Sequence, residues 1–155
     1  IGPAGDAREC QQLAELLLDH GVDALVLETQ TFDQALACLG LLANQAMVPL
    51  LVSLHRWPRR IGDAARSLVD HGADALGVNC GTDLAAAWSE LERLQAVTSS
   101  PLLFKPAIGP ADSLDSFRQI VTACRSTPTR WLGVCCGGSE RELTAASHAG
   151  WGPGP

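Results

Sequence analysis

The chain has no concentrated positive charge. Its densest basic group is the short Arg56…Arg59-Arg60 stretch, and its formal net charge is −6 with histidines neutral. Neither a nucleic acid nor an anionic membrane surface is an expected partner. No apolar run approaches the roughly 18–20 residues of a membrane span, and no signal peptide precedes the first helical stretch. No Gly-x-Gly-x-x-Gly follows a strand-like segment, which argues against a dinucleotide-binding fold. Charged residues are scarce, at 18% against roughly a quarter in ordinary domains. Regular cysteine spacing is also missing. The six cysteines do not form the framework of a small stapled domain, and adjacent Cys135 and Cys136 would strain the peptide between them if they bridged. A reducing, cytoplasmic setting is the expectation. The chain lacks an initiator methionine. It opens on Ile1-Gly2-Pro3, which reads as a strand-to-loop junction, and ends in a Gly/Pro tail over 151–155, so it reads as a piece of a longer protein.

What is present is an unbroken alternation of helix and strand. Apolar residues at helical spacing (Leu13, Leu16, Leu17) mark a helix over 7–20. Short apolar runs predict strands over 24–28, 49–54, 75–79, 101–105 and 131–135. Helices are expected over 31–44, 61–71, 83–97 and 113–124, and again after Ser139. Thr31 with Gln34, and Ser139 with Glu142, have the spacing of capping boxes; Thr82 or Asp83 caps the helix between them. Asp19-His20-Gly21-Val22-Asp23-Ala24-Leu25 recurs almost unchanged as Asp70-His71-Gly72-Ala73-Asp74-Ala75-Leu76. Both copies join a helix to the next strand. Gly21 and Gly72 suit the left-handed position after a helix, and a histidine in the last turn suits the negative end of its dipole. The echo therefore marks a repeated β/α build and not a repeated catalytic histidine. Five such strands imply a parallel sheet, either part of an eight-stranded barrel of about 250 residues or a doubly wound open sheet.

The chemistry concentrates in Gly77-Val78-Asn79-Cys80 and Gly133-Val134-Cys135-Cys136-Gly137-Gly138. Each closes a strand-like run, and in α/β folds ligands gather at the carboxyl ends of strands. Neighbouring strand residues point to opposite faces, so Cys135 and Cys136 reach one ion only if the strand ends between them. Gly137 and Gly138 supply the freedom for that turn. Three thiolates meeting there would form a zinc site with one open position, the pattern of a catalytic centre. Cys10, Cys38 and Cys124 fall in predicted helices and read as buried, inert thiols.

These segments resemble the homocysteine S-methyltransferase family, the zinc-dependent homocysteine-binding barrels. Gly77–Cys80 is similar to the family's Gly-[Val/Leu/Ile]-Asn-Cys strand, and Gly133–Gly137 to its Gly-Gly-Cys-Cys-Gly strand. Leu27-Glu28-Thr29 is similar to its Glu-Thr strand end, Lys105-Pro106 to the start of its Lys-Pro-Asn-Ala-Gly segment, and Ile1-Gly2-Pro3 to its Ser-Ile-Gly-Pro. The resemblance implies a TIM-type (β/α)8 barrel, of which 1–150 would cover roughly the last five β/α units. It implies Zn2+ held by Cys80, Cys135 and Cys136, Glu28 on the amino group of homocysteine, and Asn79 as a further substrate-binding residue. It implies methyl transfer from S-methylmethionine, betaine or methylfolate with cobalamin to the homocysteine thiol, giving methionine. Zinc would generate the sulfur nucleophile at neutral pH, so no histidine is needed as a general base. Three departures stand out. Val134 replaces the family's second glycine, Gly138 replaces a usual threonine, and Ala107-Ile108 replaces Asn-Ala.

Two other readings compete. Lys105 at a strand end could form a Schiff base, as in aldolase-type barrels. Alternatively, the chain could bind zinc through its three cysteines without catalysing a reaction.

Overall fold

The computed structural model describes residues 7–45 and 47–151. Ile1-Gly2-Pro3 and the tail beyond 151 lie outside the described residues. Helices and strands alternate as the pattern predicts: α1 (Ala7–Asp19), β1 (Leu25–Thr29), α2 (Phe32–Leu42), β2 (Leu50–Leu54), α3 (Ile61–Asp70), β3 (Ala75–Cys80), α4 (Leu84–Gln95), β4 (Leu102–Pro106), α5 (Leu114–Cys124), β5 (Thr129–Leu132) and α6 (Glu140–His148). Local chemistry sets several boundaries. Thr31 and Ser139 open α2 and α6 with reciprocal capping boxes, and Asp83 and Ser113 accept the first orphan N–H groups of α4 and α5.

The echoed turns behave alike. Gly21 (φ +74°) and Gly72 (φ +99°) both adopt the left-handed conformation. His20 Nδ1 donates to Leu16 O at 2.8 Å and His71 Nδ1 to Ser67 O at 2.7 Å, each satisfying a carbonyl of its helix's last turn. Both histidines are exposed and serve the helix ends.

The strands form one parallel sheet in the order β1-β2-β3-β4-β5. A doubly wound sheet reverses its order at a switch point. These five strands never do, so that alternative falls for them, and the sheet is compatible with part of a TIM-type barrel. Register places Leu27, Val52, Leu54, Leu76, Val78, Leu102 and Phe104 on one face. That face is the core, packed against the helices; Trp88 of α4 meets Phe104 edge-on with ring centroids 6.2 Å apart. The same register puts Glu28, Ser53, Asn79 and Lys105 together on the opposite face.

One strand is shorter than expected. β5 ends at Leu132 and does not run to Cys135. Its pairing with β4 shifts register between Leu102 and Leu103, and it has a neighbour on one side only. Beyond Leu132 the chain keeps contact with β4 through Gly133 N–H to Phe104 O and Cys135 N–H to Pro106 O, both 2.9 Å. Both cysteines thus lie past the strand and are not divided by its end. Among the described residues, no helix is long and apolar enough to cross a membrane.

Candidate metal centre and substrate cleft

The Cys80 end of β3 is held in an unusual conformation. Cys80 has φ +61°, and it is the non-glycine residue with positive φ among those described. Such a backbone costs on the order of 1–3 kcal/mol and persists where its surroundings over-determine it. The surroundings here include the segment after β4. Ala107 N–H donates to Cys80 O at 2.9 Å, and Ile108 N–H donates to Cys136 O at 2.8 Å. With Cys135 N–H on Pro106 O, residues 106–108 are hydrogen-bonded to the backbones of all three cysteines. Asp112 secures the segment in turn. Its Oδ2 accepts Gly109 N–H at 2.7 Å and Leu84 N–H at 3.0 Å, tying it to the start of α4, just after Cys80.

The second cysteine segment turns sharply. Gly138 N–H donates to Cys135 O at 3.1 Å, closing a four-residue turn. Its third residue, Gly137, has φ +75°, which type II turns require. A β-carbon at Gly137 would also lie 2.1 Å from Ile108 O, so only glycine fits. The turn presents Cys135 and Cys136 on the same side. Cys80 Sγ lies 2.7 Å from Cys135 Sγ and 3.5 Å from Cys136 Sγ, and the latter two are 4.0 Å apart. All three thiols are free.

These residues fit a soft divalent metal. The three donor atoms lie within 4.8 Å of one another. Tetrahedral zinc with Zn–S bonds of about 2.3 Å would set its sulfurs roughly 3.8 Å apart. An all-sulfur donor set selects zinc over the hard cations. Burial, followed by hydrogen bonds from the other two thiols, pushes the Cys80 thiol up to about 12. Without a cation Cys80 therefore resists ionisation, whereas a coordinating metal deprotonates such a thiol outright. Cys80 and Cys135 are half-buried and Cys136 is exposed, so the cluster faces an opening. By contrast, Cys10, Cys38 and Cys124 are buried in α1, α2 and α5, apart from the cluster; a hydrogen bond with Cys10 lowers the Cys38 thiol to about 7, which the reading of these residues as inert thiols did not foresee.

The opening is a cleft of about 370 Å³, lined by Glu28, Thr29, Gln30, His55, Asn79 and the three cysteines. Every residue that the sequence singles out for substrate or metal thus borders one cavity. Asn79 is buried, and its Oδ1 accepts the Ser53 hydroxyl at 3.1 Å, which leaves its amide N–H groups to donate. Glu28 has a partner that the sequence did not disclose: Lys105 Nζ forms an ion pair with its Oε1. The two are 77 positions apart, and no motif couples them. An ammonium committed to a carboxylate is not the free amine a Schiff base needs, which counts against Lys105 as an aldolase nucleophile. Thr29, Gln30 and His55 were also missed; their position at strand ends was the available signal.

Residues 8–149 match the profile of a family described as homocysteine S-methyltransferase. The chain belongs to this family. Three crystal structures of the homocysteine methyltransferase MmuM from Escherichia coli share the fold. The apo form superposes with a TM-score of 0.74 at 24% identity, over 96% of this chain and 61% of that one. The metallated form gives 0.71 at 24% identity over 92% and 52%, and the oxidised form 0.70 at 23% over 93% and 52%. This member of the family therefore spans little more than half the length of these solved relatives. No curated protein matches its sequence.

Two of its departures from the family pattern explain each other. A β-carbon at Gly138 would sit 2.4 Å from Val134 Cβ and 2.7 Å from its Cγ2. Val134 occupies the space into which a threonine at 138 would extend.

Proposed function

We propose that these β/α units, over 1–150, are part of a (β/α)8 barrel that transfers a methyl group from a small-molecule donor to the thiol of homocysteine, forming methionine. The observation that carries this reading is the meeting of Cys80, Cys135 and Cys136 on the cleft that Glu28 and Asn79 also line. The unreversed strand order and the contact between β1 and β4 side chains support the barrel. In a flat sheet β1 and β4 would be about 14 Å apart, three spacings of about 4.8 Å, yet Glu28 and Lys105 meet across them.

Cys80, Cys135 and Cys136 would hold zinc, which when bound supplies a Lewis acid that makes a coordinating thiol ionise at neutral pH. The protein's own groups do the rest. Glu28 accepts hydrogen bonds from the substrate ammonium. Asn79, its carbonyl fixed by Ser53, donates an amide N–H into the cleft. The cleft walls hold the sulfur in line with the donor methyl, and such positioning removes part of the barrier. A reducing, cytoplasmic setting suits thiols that must remain free.

The test is a donor panel on the full-length protein. Homocysteine is incubated with S-methylmethionine, betaine or methylfolate plus cobalamin, and methionine is measured. One donor should yield methionine, and Cys136→Ala should lose both bound zinc and activity. Full zinc occupancy in Cys136→Ala, or no methionine from any donor, would overturn the proposal.

A further inference from the structure

The ion pair that Lys105 makes with Glu28, a residue of the cleft wall, is more than the assigned role of Glu28 requires. If Glu28 alone received an ammonium group, no lysine would be needed beside it. Lys105 nevertheless reaches Glu28 from β4, three strands away, and both side chains are only about a quarter exposed, at 28% and 23%. The pairs Arg60–Asp63, Arg93–Glu90 and Arg118–Asp115 are different, each joining residues three apart along the chain. A half-buried pair of this kind is weak evidence for stability, because desolvation offsets the attraction. Its placement points to a ligand instead.

We infer that Glu28 and Lys105 form a two-sign clamp for an α-amino-acid head group, with Lys105 binding the substrate carboxylate; this rests on the homocysteine reading above. Lysine offers three N–H donors and Glu28 two acceptor oxygens, so their mutual contact leaves capacity on both. A zwitterion presents an ammonium and a carboxylate on one carbon, and an adjacent carboxylate and ammonium are its complement. Only two methylenes separate that carbon from the sulfur of homocysteine, so the head group must lie in the same cleft as the thiol cluster. The lysine stem runs beside the second cysteine segment. A β-carbon at Gly133 would lie 3.0 Å from Lys105 Cγ and 3.5 Å from its Cδ, so the stem crosses the chain where no side chain blocks it, two residues before Cys135.

The clamp predicts discrimination that a lone Glu28 would not give. Binding to the zinc-loaded full-length protein is measured by calorimetry, without a methyl donor, for homocysteine and for 3-aminopropane-1-thiol, which keeps the thiol and amine but lacks the carboxylate. Wild type should prefer homocysteine by about tenfold or more, as expected for a charge-assisted hydrogen bond. Lys105→Met should remove that preference by weakening homocysteine alone, since freeing Glu28 does not harm amine binding. Lys105→Arg should retain it. Equal affinity of wild type for the two thiols overturns the inference, as does a Lys105→Met variant that weakens both equally. A wild type that binds neither thiol fails differently, because it removes the homocysteine reading itself.

Discussion

A threonine at position 138 meets Val134, whose Cβ would be 2.4 Å from the new β-carbon. Gly138 is absent from the positive-φ residues, so packing and not backbone conformation excludes the side chain. Gly138→Thr should lower stability by about 1–3 kcal/mol, the usual range for overpacking. The double variant Val134→Gly/Gly138→Thr should recover most of that loss. Thermal unfolding of the four proteins in a double-mutant cycle measures the coupling; strictly additive effects would contradict the contact. Gly137 differs, because φ +75° and the Ile108 carbonyl together forbid any side chain there.

At the scale of elements, the segment between β4 and α5 sets the distance between the two cysteine segments. Asp112 secures it by accepting Gly109 and Leu84 N–H groups. Replacing Asp112 with alanine should weaken zinc binding by about 10–100-fold, the usual effect of losing a group that orients metal ligands. Asp112→Asn keeps a carboxamide oxygen and should restore most of it. Chelator competition gives both affinities, and an unchanged affinity in Asp112→Ala would refute the role. The α6 cap carries a pH signature. Ser139 donates to the Glu142 carboxylate from its hydroxyl at 2.7 Å and its N–H at 3.0 Å, and these bonds hold the carboxyl below its ordinary 4.5. A depressed carboxyl stabilises the fold fully above the unfolded value and loses that contribution as pH falls through the folded one. The stability difference between wild type and Glu142→Gln should therefore be flat near neutrality and shrink below about pH 4.5. Denaturant titrations across that range test it, and a difference that persists at pH 2 would contradict the linkage.

For the whole molecule, zinc should act as a stabilising ligand, because the three sulfurs are brought together only by folding. At a free zinc concentration about a hundred times the dissociation constant, linkage adds ~2.7 kcal/mol, or roughly 5–10 °C in Tm for a chain of this size. Chelation should reverse the shift, and Cys136→Ala should show none. A variant that gains as much as wild type would place the metal elsewhere. The same sheet brings Glu28 of β1 and Lys105 of β4 together, so this contact and the thiol cluster should be lost in one cooperative transition.

The alternation of elements, the capping boxes at Thr31 and Ser139, and the helix-ending Gly21 and Gly72 were all legible in the sequence, because each depends on residues within four positions of one another; the choice of Asp83 over Thr82 and the cap at Ser113 came from the structure. The motif pair around Cys80 and Cys135-Cys136 was legible for a different reason: few roles call for a cysteine and a cysteine pair at the carboxyl ends of two strand-like runs. The end of β5 was not, since an apolar run does not reveal a register shift against a neighbour. Nor was the Glu28–Lys105 pair, which joins strands three places apart in the sheet, or the link through residues 106–108, whose backbone groups carry no sequence signature. The local signals therefore determined which residues could serve a thiol-binding centre. Only the tertiary structure decided which charges face each other across it, because that depends on strand order and register.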